Sequence, residues 1–160
     1  MSYNRLETLY PDKSNDVYGF SNLSTLYLDH NRIGSITLAD DSQVFPTLKH
    51  LFLHHNKLAN VRDLRRNSSL EILIIDHNKI ETMDVDSFHE DNNIACLSIE
   101  SNKIQDLRFV QKLSSLKKLH IADNLIAVSD RTLYYNKFLI PTFLLDLKSI
   151  IFRRKMSLTI

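Results

Sequence analysis

One eleven-residue phrase occurs five times in this 160-residue chain and constrains its fold more than any other feature. The phrase reads LxxLxLxxNxL, with Leu and Ile replacing each other, and its copies span residues 23–33, 48–58, 70–80, 94–104 and 116–126. Apolar residues at phrase positions four and six flank a residue that points the opposite way, which predicts a short, half-buried strand. A single coil cannot bury those leucines. We therefore expect the copies to stack, with neighbouring strands about 4.8 Å apart in one parallel sheet.

Five copies in register, over roughly residues 20 to 128, resemble the leucine-rich repeat family. The resemblance implies an α/β fold: a right-handed solenoid with a parallel concave sheet and short helices or turns on the convex side. The repeated asparagines are separated by 25, 22, 24 and 22 residues, so long and short coils alternate. Such short coils are similar to the intracellular class found in phosphatase regulators, the spliceosomal A-prime protein and axonemal dynein-associated proteins.

The sequence predicts a single domain over residues 1–160. Residues 1–22 are expected to be a degenerate leading coil, with Leu6 and Leu9 closing the solenoid unless the chain is a fragment. Residues 23–128 hold the five repeats. Residues 129–160 hold a cap and tail, in which "DRTLYYNKFLIPTFLLDL" resembles the helical C-terminal cap of the spliceosomal A-prime type. The tail 147–160 matches no cap pattern.

Phrase position nine is always asparagine, at the point where each coil leaves its strand and turns. An amide side chain has two donor hydrogens and an acceptor oxygen, so stacked asparagines can pair with backbone groups that the sheet leaves without partners. We expect this structural ladder to consist of Asn31, Asn56, Asn78, Asn102 and Asn124.

Aligning the five phrases turns each variable strand position into a column of side chains across the concave face. The first three coils place Tyr27, Phe52, Ile74 and Ile72 together on a face that should be solvated. Contiguous exposed apolar surface commonly marks an interface, and aromatic residues dominate binding energy at interfaces. The sequence therefore predicts a partner-binding patch, unless the cap or a neighbouring segment covers these residues.

Phrase position seven adds polar residues beside the patch, and we include four of them in the predicted partner-binding set: Asp29, His54, Asp76 and Glu100. A basic row follows at position ten, made of Arg32, Lys57, Lys79 and Lys103. The two rows either orient a charged partner or neutralise each other as solvated side chains.

Three histidines, His30, His55 and His77, occupy position eight of successive coils, where a metal site has to be considered. Zinc needs three or four converging ligands, and His54, Asp29 and Asp76 are near enough in the pattern to contribute. A parallel ladder, however, places its side chains side by side, and no residue of the sequence is identified as a second shell that orients them. The prediction is a stacked rim with no metal and no cofactor.

The chain has no GxSxG, P-loop or HExxH motif and only two glycines, so we predict no enzyme and no small-molecule substrate. Cys96 lies mid-strand, where a half-buried filler is a better interpretation than a nucleophile. A formal charge of +1 implies no general attraction to membranes or nucleic acid.

The leading hypothesis is an adaptor that binds another protein on its concave face. The alternative is a ribonucleoprotein component of the spliceosomal A-prime type that contacts RNA through a second protein; a metal-binding protein comes last. A single cysteine and an N-terminus without a signal-like apolar core favour an intracellular setting, whether cytoplasmic, ciliary or nuclear.

Overall fold

The computed structural model describes residues 1–9, 22–36, 45–62, 64 and 67–126. Within them, each phrase contributes one short strand to a five-stranded parallel sheet in chain order. These strands are β2 (Thr25–Tyr27), β4 (His50–Phe52), β5 (Ile72–Ile74), β6 (Cys96–Ser98) and β7 (Lys118–His120). The register pairs identical phrase positions throughout, so that Leu26, Leu51 and Leu73 lie side by side. The predicted stack of coils around a parallel sheet is confirmed.

A second, two-stranded parallel sheet lies near the N-terminus. It pairs β1 (Thr8–Leu9) with β3 (Ser35–Ile36), so the first nine residues run alongside the coil that follows them. Leu6 packs against the buried core as a partly buried side chain.

The side of the solenoid opposite the sheet carries 3₁₀ helices at Val85–Ser87 and Arg108–Lys112, which agrees with the predicted short helices. Phe45 and Phe88, which belong to the two longer coils, are both buried. The predicted C-terminal cap and tail, residues 129–160, lie outside the described residues.

Leucines and isoleucines of the phrase form one continuous core. Leu48, Leu53 and Leu58, at phrase positions one, six and eleven of the second coil, are fully buried. Burying each such side chain contributes roughly 1.5 to 3 kcal/mol relative to leaving it in water, and every coil repeats the set. Neighbouring coils therefore stabilise one another through the same contacts.

The asparagine ladder joins each coil to the one before it. Asn56 Nδ2 donates to the carbonyl of Leu53 in its own coil at 3.0 Å and to that of Leu28 in the preceding coil at 2.9 Å. Its Oδ1 accepts from the Ile33 N–H at 2.9 Å. The same bonds recur at the equivalent positions of Asn78, Asn102 and Asn124. Each of these asparagines thus bonds backbone groups of its own coil and of the preceding coil.

Position eight is held in the left-handed backbone region in every coil. The residues are His30, His55, His77, Ser101 and Asp123, with φ between 52° and 55°. The left-handed turn aims the next residue, the asparagine, back under the strand. Short polar residues and histidine tolerate this region better than most, which explains why no bulky aliphatic residue occurs here.

The first six residues, "MSYNRL", continue this pattern and correspond to phrase positions six to eleven. Tyr3 has φ 57°, like the histidines at position eight. Asn31 Nδ2 donates to the Met1 carbonyl at 2.9 Å, and its Oδ1 accepts from the Leu6 N–H at 3.2 Å. The leading coil was expected from Leu6 and Leu9; the structure shows that its turn begins earlier, at Met1.

We expect Asn78→Ala to lower the free energy of unfolding by roughly 1 to 3 kcal/mol, because it removes the acceptor of the buried Leu58 N–H and one of the two asparagine bonds to each of the Leu53 and Ile75 carbonyls. Chemical denaturation followed by circular dichroism measures the change. Asn60→Ala is the matched control, since Asn60 is exposed and accepts a local bond from the Arg62 N–H. A loss no larger than that of the control would contradict the ladder's structural role.

Candidate functional site

Four side chains on the concave side of β2, β4 and β5 form the aromatic patch: Tyr27, Phe52, Ile72 and Ile74. The rings of Tyr27 and Phe52 are stacked, with centroids 4.5 Å apart and planes 9° from parallel. Tyr27 is 53% exposed, and the other three side chains are half-buried. The strands thus bring together the apolar residues that the sequence placed in two neighbouring columns.

Asp29, which the sequence placed among the polar residues available to a partner at position seven, is only 7% exposed. The Ser2 hydroxyl, supplied by the leading coil, donates to Asp29 Oδ1. Burial alone would raise the pKa of this carboxyl, but the Ser2 hydrogen bond and the nearby His54 and His30 outweigh it, so the pKa is lowered. Asp29 is therefore an ionised carboxylate enclosed by the first two coils.

Asp76 is also engaged inside the protein. Its carboxylate accepts from the Ser98 hydroxyl, at 2.7 and 2.9 Å to its two oxygens, and from the Glu100 N–H at 2.7 Å. Because of these bonds, Ser98 is buried, although its strand position faces the concave side. Asp76 supports the strand end of the next coil, a contact that the phrase alone does not predict.

The remaining members of position seven stay partly accessible. Glu100 is half-buried, and its Oε1 lies 3.8 Å from His120 Nδ1. His54 Nε2 lies 3.8 Å from Asp29 Oδ2. Position seven therefore contains two carboxylates bonded within the protein, Asp29 and Asp76, and one, Glu100, that remains partly accessible.

The three histidines of position eight stack as predicted. Ring centroids are 4.3 Å apart between His30 and His55 and 4.2 Å apart between His55 and His77. Tyr3 extends the stack over His30 at 4.2 Å. Burial and the neighbouring rings of His77, His30 and His54 lower the pKa of His55, which favours its neutral form.

The basic row is exposed at all four expected positions, Arg32, Lys57, Lys79 and Lys103. Lys103 Nζ pairs with Glu81 at 3.0 Å. An exposed pair of this kind contributes little to stability, so the row remains a positively charged edge beside the histidine stack.

Cys96 is half-buried in β6, as the sequence predicted. Burial raises the pKa of its thiol; nearby Lys118 opposes the increase and Asp76 adds to it. A raised pKa leaves less of the reactive thiolate at neutral pH, which is the opposite of what a nucleophilic cysteine needs.

Comparisons with known proteins agree with the coil architecture. Residues 68–126 match the family model described as "Leucine rich repeat". The chain is 32% identical over 107 residues to a "Probable glycoprotein hormone G-protein coupled receptor" of Anthopleura elegantissima. That alignment includes 64% of this chain and 11% of the receptor, so the chain spans about a tenth of the relative's length.

Among solved structures, the chain is similar to internalin C2 of Listeria monocytogenes, with a TM-score of 0.51 and 17% sequence identity. The match covers 95% of this chain and 77% of the internalin chain, and it supports the fold. Among the residues that the structure describes, no helix has the length and apolar character needed to cross a membrane.

We expect the Cys96 thiol of the folded chain to react with iodoacetamide more slowly than the same thiol in the unfolded chain, at about pH 8. The rate is followed by mass spectrometry with and without denaturant. Lys118→Met should slow the reaction further, since the lysine favours the thiolate. A folded chain that reacts as fast as the unfolded one would contradict the protective effect of burial.

Proposed function

We propose that this chain, a leucine-rich-repeat protein, is a non-enzymatic adaptor that binds a partner protein across its concave face. The aromatic patch carries the proposal. Stacked aromatic side chains on a rigid sheet are typical anchors of protein interfaces. Tyr27 lies on such a sheet, and its side chain is 53% exposed.

The patch is preorganised by the coils that hold it. Leu26 and Leu51, which precede Tyr27 and Phe52, are buried and paired in register, so the two rings stay aligned without a partner. A surface of this kind loses little conformational entropy on binding. The partner we propose is a protein that inserts an apolar or aromatic side chain against Tyr27 and Phe52.

The polar residues around the patch divide into two groups under this proposal. Glu100 and His54 keep accessible atoms and would contact the partner's polar rim. Asp29 and Asp76 would not contact the partner; their hydrogen bonds within the protein hold the strand ends next to the patch in place. Orientation of the partner therefore rests on fewer charges than the four predicted from the sequence.

An intracellular setting is part of the proposal and is supported by the single cysteine of the chain. The similarity to the receptor extends over 11% of that protein, so it supports the repeat pattern of this chain and nothing about the receptor's activity.

Replacing Tyr27 and Phe52 together by alanine is expected to lower the affinity for the co-purifying partner at least tenfold, because both aromatic anchors are removed. Leu125→Ala is the matched control, because Leu125 is 59% exposed but lies away from the patch at phrase position ten of the last coil. Affinity is measured with immobilised chain, and circular dichroism checks that both variants are folded. Equal affinity of the double variant and the control would rule out the patch.

The ribonucleoprotein alternative is favoured by one observation, the exposed basic row along the edge of the sheet. Raising salt separates the two proposals. A complex held by the aromatic patch should persist from about 50 to 200 mM salt, whereas one held by several phosphate contacts should weaken by orders of magnitude over that range. A steep loss, abolished by ribonuclease, would favour the ribonucleoprotein.

A further inference from the structure

We propose that Asp29, His30 and His54 form a binding site for a divalent first-row transition-metal ion, of which Zn²⁺ is the type. One donor atom from each residue lies within 4.8 Å of the other two. The site lies at the strand ends of the first two coils, next to Tyr27. It differs from the arrangement considered from the sequence, because it uses one rung of the histidine stack and two residues of the neighbouring column.

The histidine stack by itself cannot bind one ion. The rings of His55 and His77 are within 5° of parallel, so their nitrogen lone pairs lie in parallel planes and do not converge. His30 and His54 are arranged differently, with planes 81° apart and centroids separated by 5.5 Å. Two imidazoles bound through nitrogen to one tetrahedral ion, at about 2.0–2.1 Å, have centroids about 5 Å apart.

The third donor is the carboxylate of Asp29. Its Oδ2 lies 3.8 Å from His54 Nε2, which is longer than a hydrogen bond. Two donors that share a tetrahedral zinc lie about 3.3 Å apart, so a shift of about half an ångström brings this pair into position. The other ring nitrogen of His54, Nδ1, is buried and has no hydrogen-bond partner in the described part of the chain. Among the described residues, neither ring nitrogen of His54 therefore makes a hydrogen bond that would explain the orientation of the imidazole.

Neighbouring residues orient two of the three donors. The Ser2 hydroxyl contacts Asp29 Oδ1, which leaves Oδ2 turned toward His54. Tyr3 and His55 stack on opposite sides of the same run of rings and restrict the rotation of His30. The His30 N–H also donates to the His54 carbonyl at 3.0 Å, which ties the two backbones together. Such supporting contacts are what a metal site requires beyond its ligands.

The donor set indicates the class of ion. Two imidazoles and one carboxylate suit zinc and neighbouring first-row ions, whereas calcium and magnesium prefer oxygen ligands. His30 and His54 are both partly accessible, so water can occupy a fourth position. Because Asp29 and His30 belong to the first complete phrase and His54 to the second, a bound ion would link these two neighbouring coils.

The test is a titration of the tag-free full-length chain with Co²⁺ and Zn²⁺. We expect one Co²⁺ per chain with the visible absorption of a tetrahedral site, displacement by Zn²⁺, and a rise in the melting temperature with Zn²⁺ that Mg²⁺ does not produce. His54→Gln and Asp29→Asn should each weaken Zn²⁺ binding roughly tenfold or more.

The matched control is His77→Asn, which removes a histidine of the same stack outside the site and keeps a residue that tolerates its left-handed backbone. It should leave Zn²⁺ affinity unchanged. The site is overturned if wild type binds no Zn²⁺ at one equivalent, or if His77→Asn weakens binding as much as His54→Gln does. Should Asp29→Asn fail to fold, the His54→Gln result decides, since His54 has no hydrogen-bonded role at Nδ1.

Discussion

The asparagine ladder is the interaction on which the rest of the structure depends. Each coil turns away from the sheet after a strand of three residues. Beyond the strand, backbone bonds between coils pair some N–H groups, such as those of Leu53 and His55, and the asparagine bonds the carbonyl at position six and the N–H at position eleven. The asparagine at position nine pairs with a carbonyl of its own coil and with a carbonyl and an N–H of the previous one, as Asn102 does with Ile99, Ile75 and Ile80. One side chain therefore sets both the turn and the spacing between coils.

Because the ladder repeats in register, the side chains at each of the remaining phrase positions also line up in a straight column across the coils. The left-handed residue before each asparagine brings His30, His55 and His77 into a stack, and the strands before it align Tyr27 with Phe52. The surface features are thus consequences of the coil geometry, while their chemistry depends on which residues occupy the columns. The first two coils differ from the others in carrying aromatic residues, histidines and a buried carboxylate together.

Much of this architecture could be predicted from the sequence, since periodicity reports directly on which positions are buried. The strands, their order, the ladder and the aromatic column follow from the spacing of leucine and asparagine. What the phrase does not report is how side chains of neighbouring coils meet. Asp29 and Asp76 occupy the same phrase position as Glu100, yet one is buried under Ser2 and the other bonds Ser98, because serine occurs nearby in those coils. The N-terminal half-phrase matches the repeat poorly in sequence because it retains one leucine, Leu6, and has methionine at position six.

We propose that the concave aromatic patch contacts a partner protein, and site-specific photo-crosslinking tests this contact most directly. A benzophenone amino acid is introduced in place of Phe52 and, separately, in place of Arg108, whose side chain is 71% exposed in the 3₁₀ helix opposite the sheet. The chain is then irradiated in complex with its co-purifying partner. We expect a discrete crosslinked product from position 52 and none from position 108. Crosslinking from position 108 with none from position 52 would contradict it.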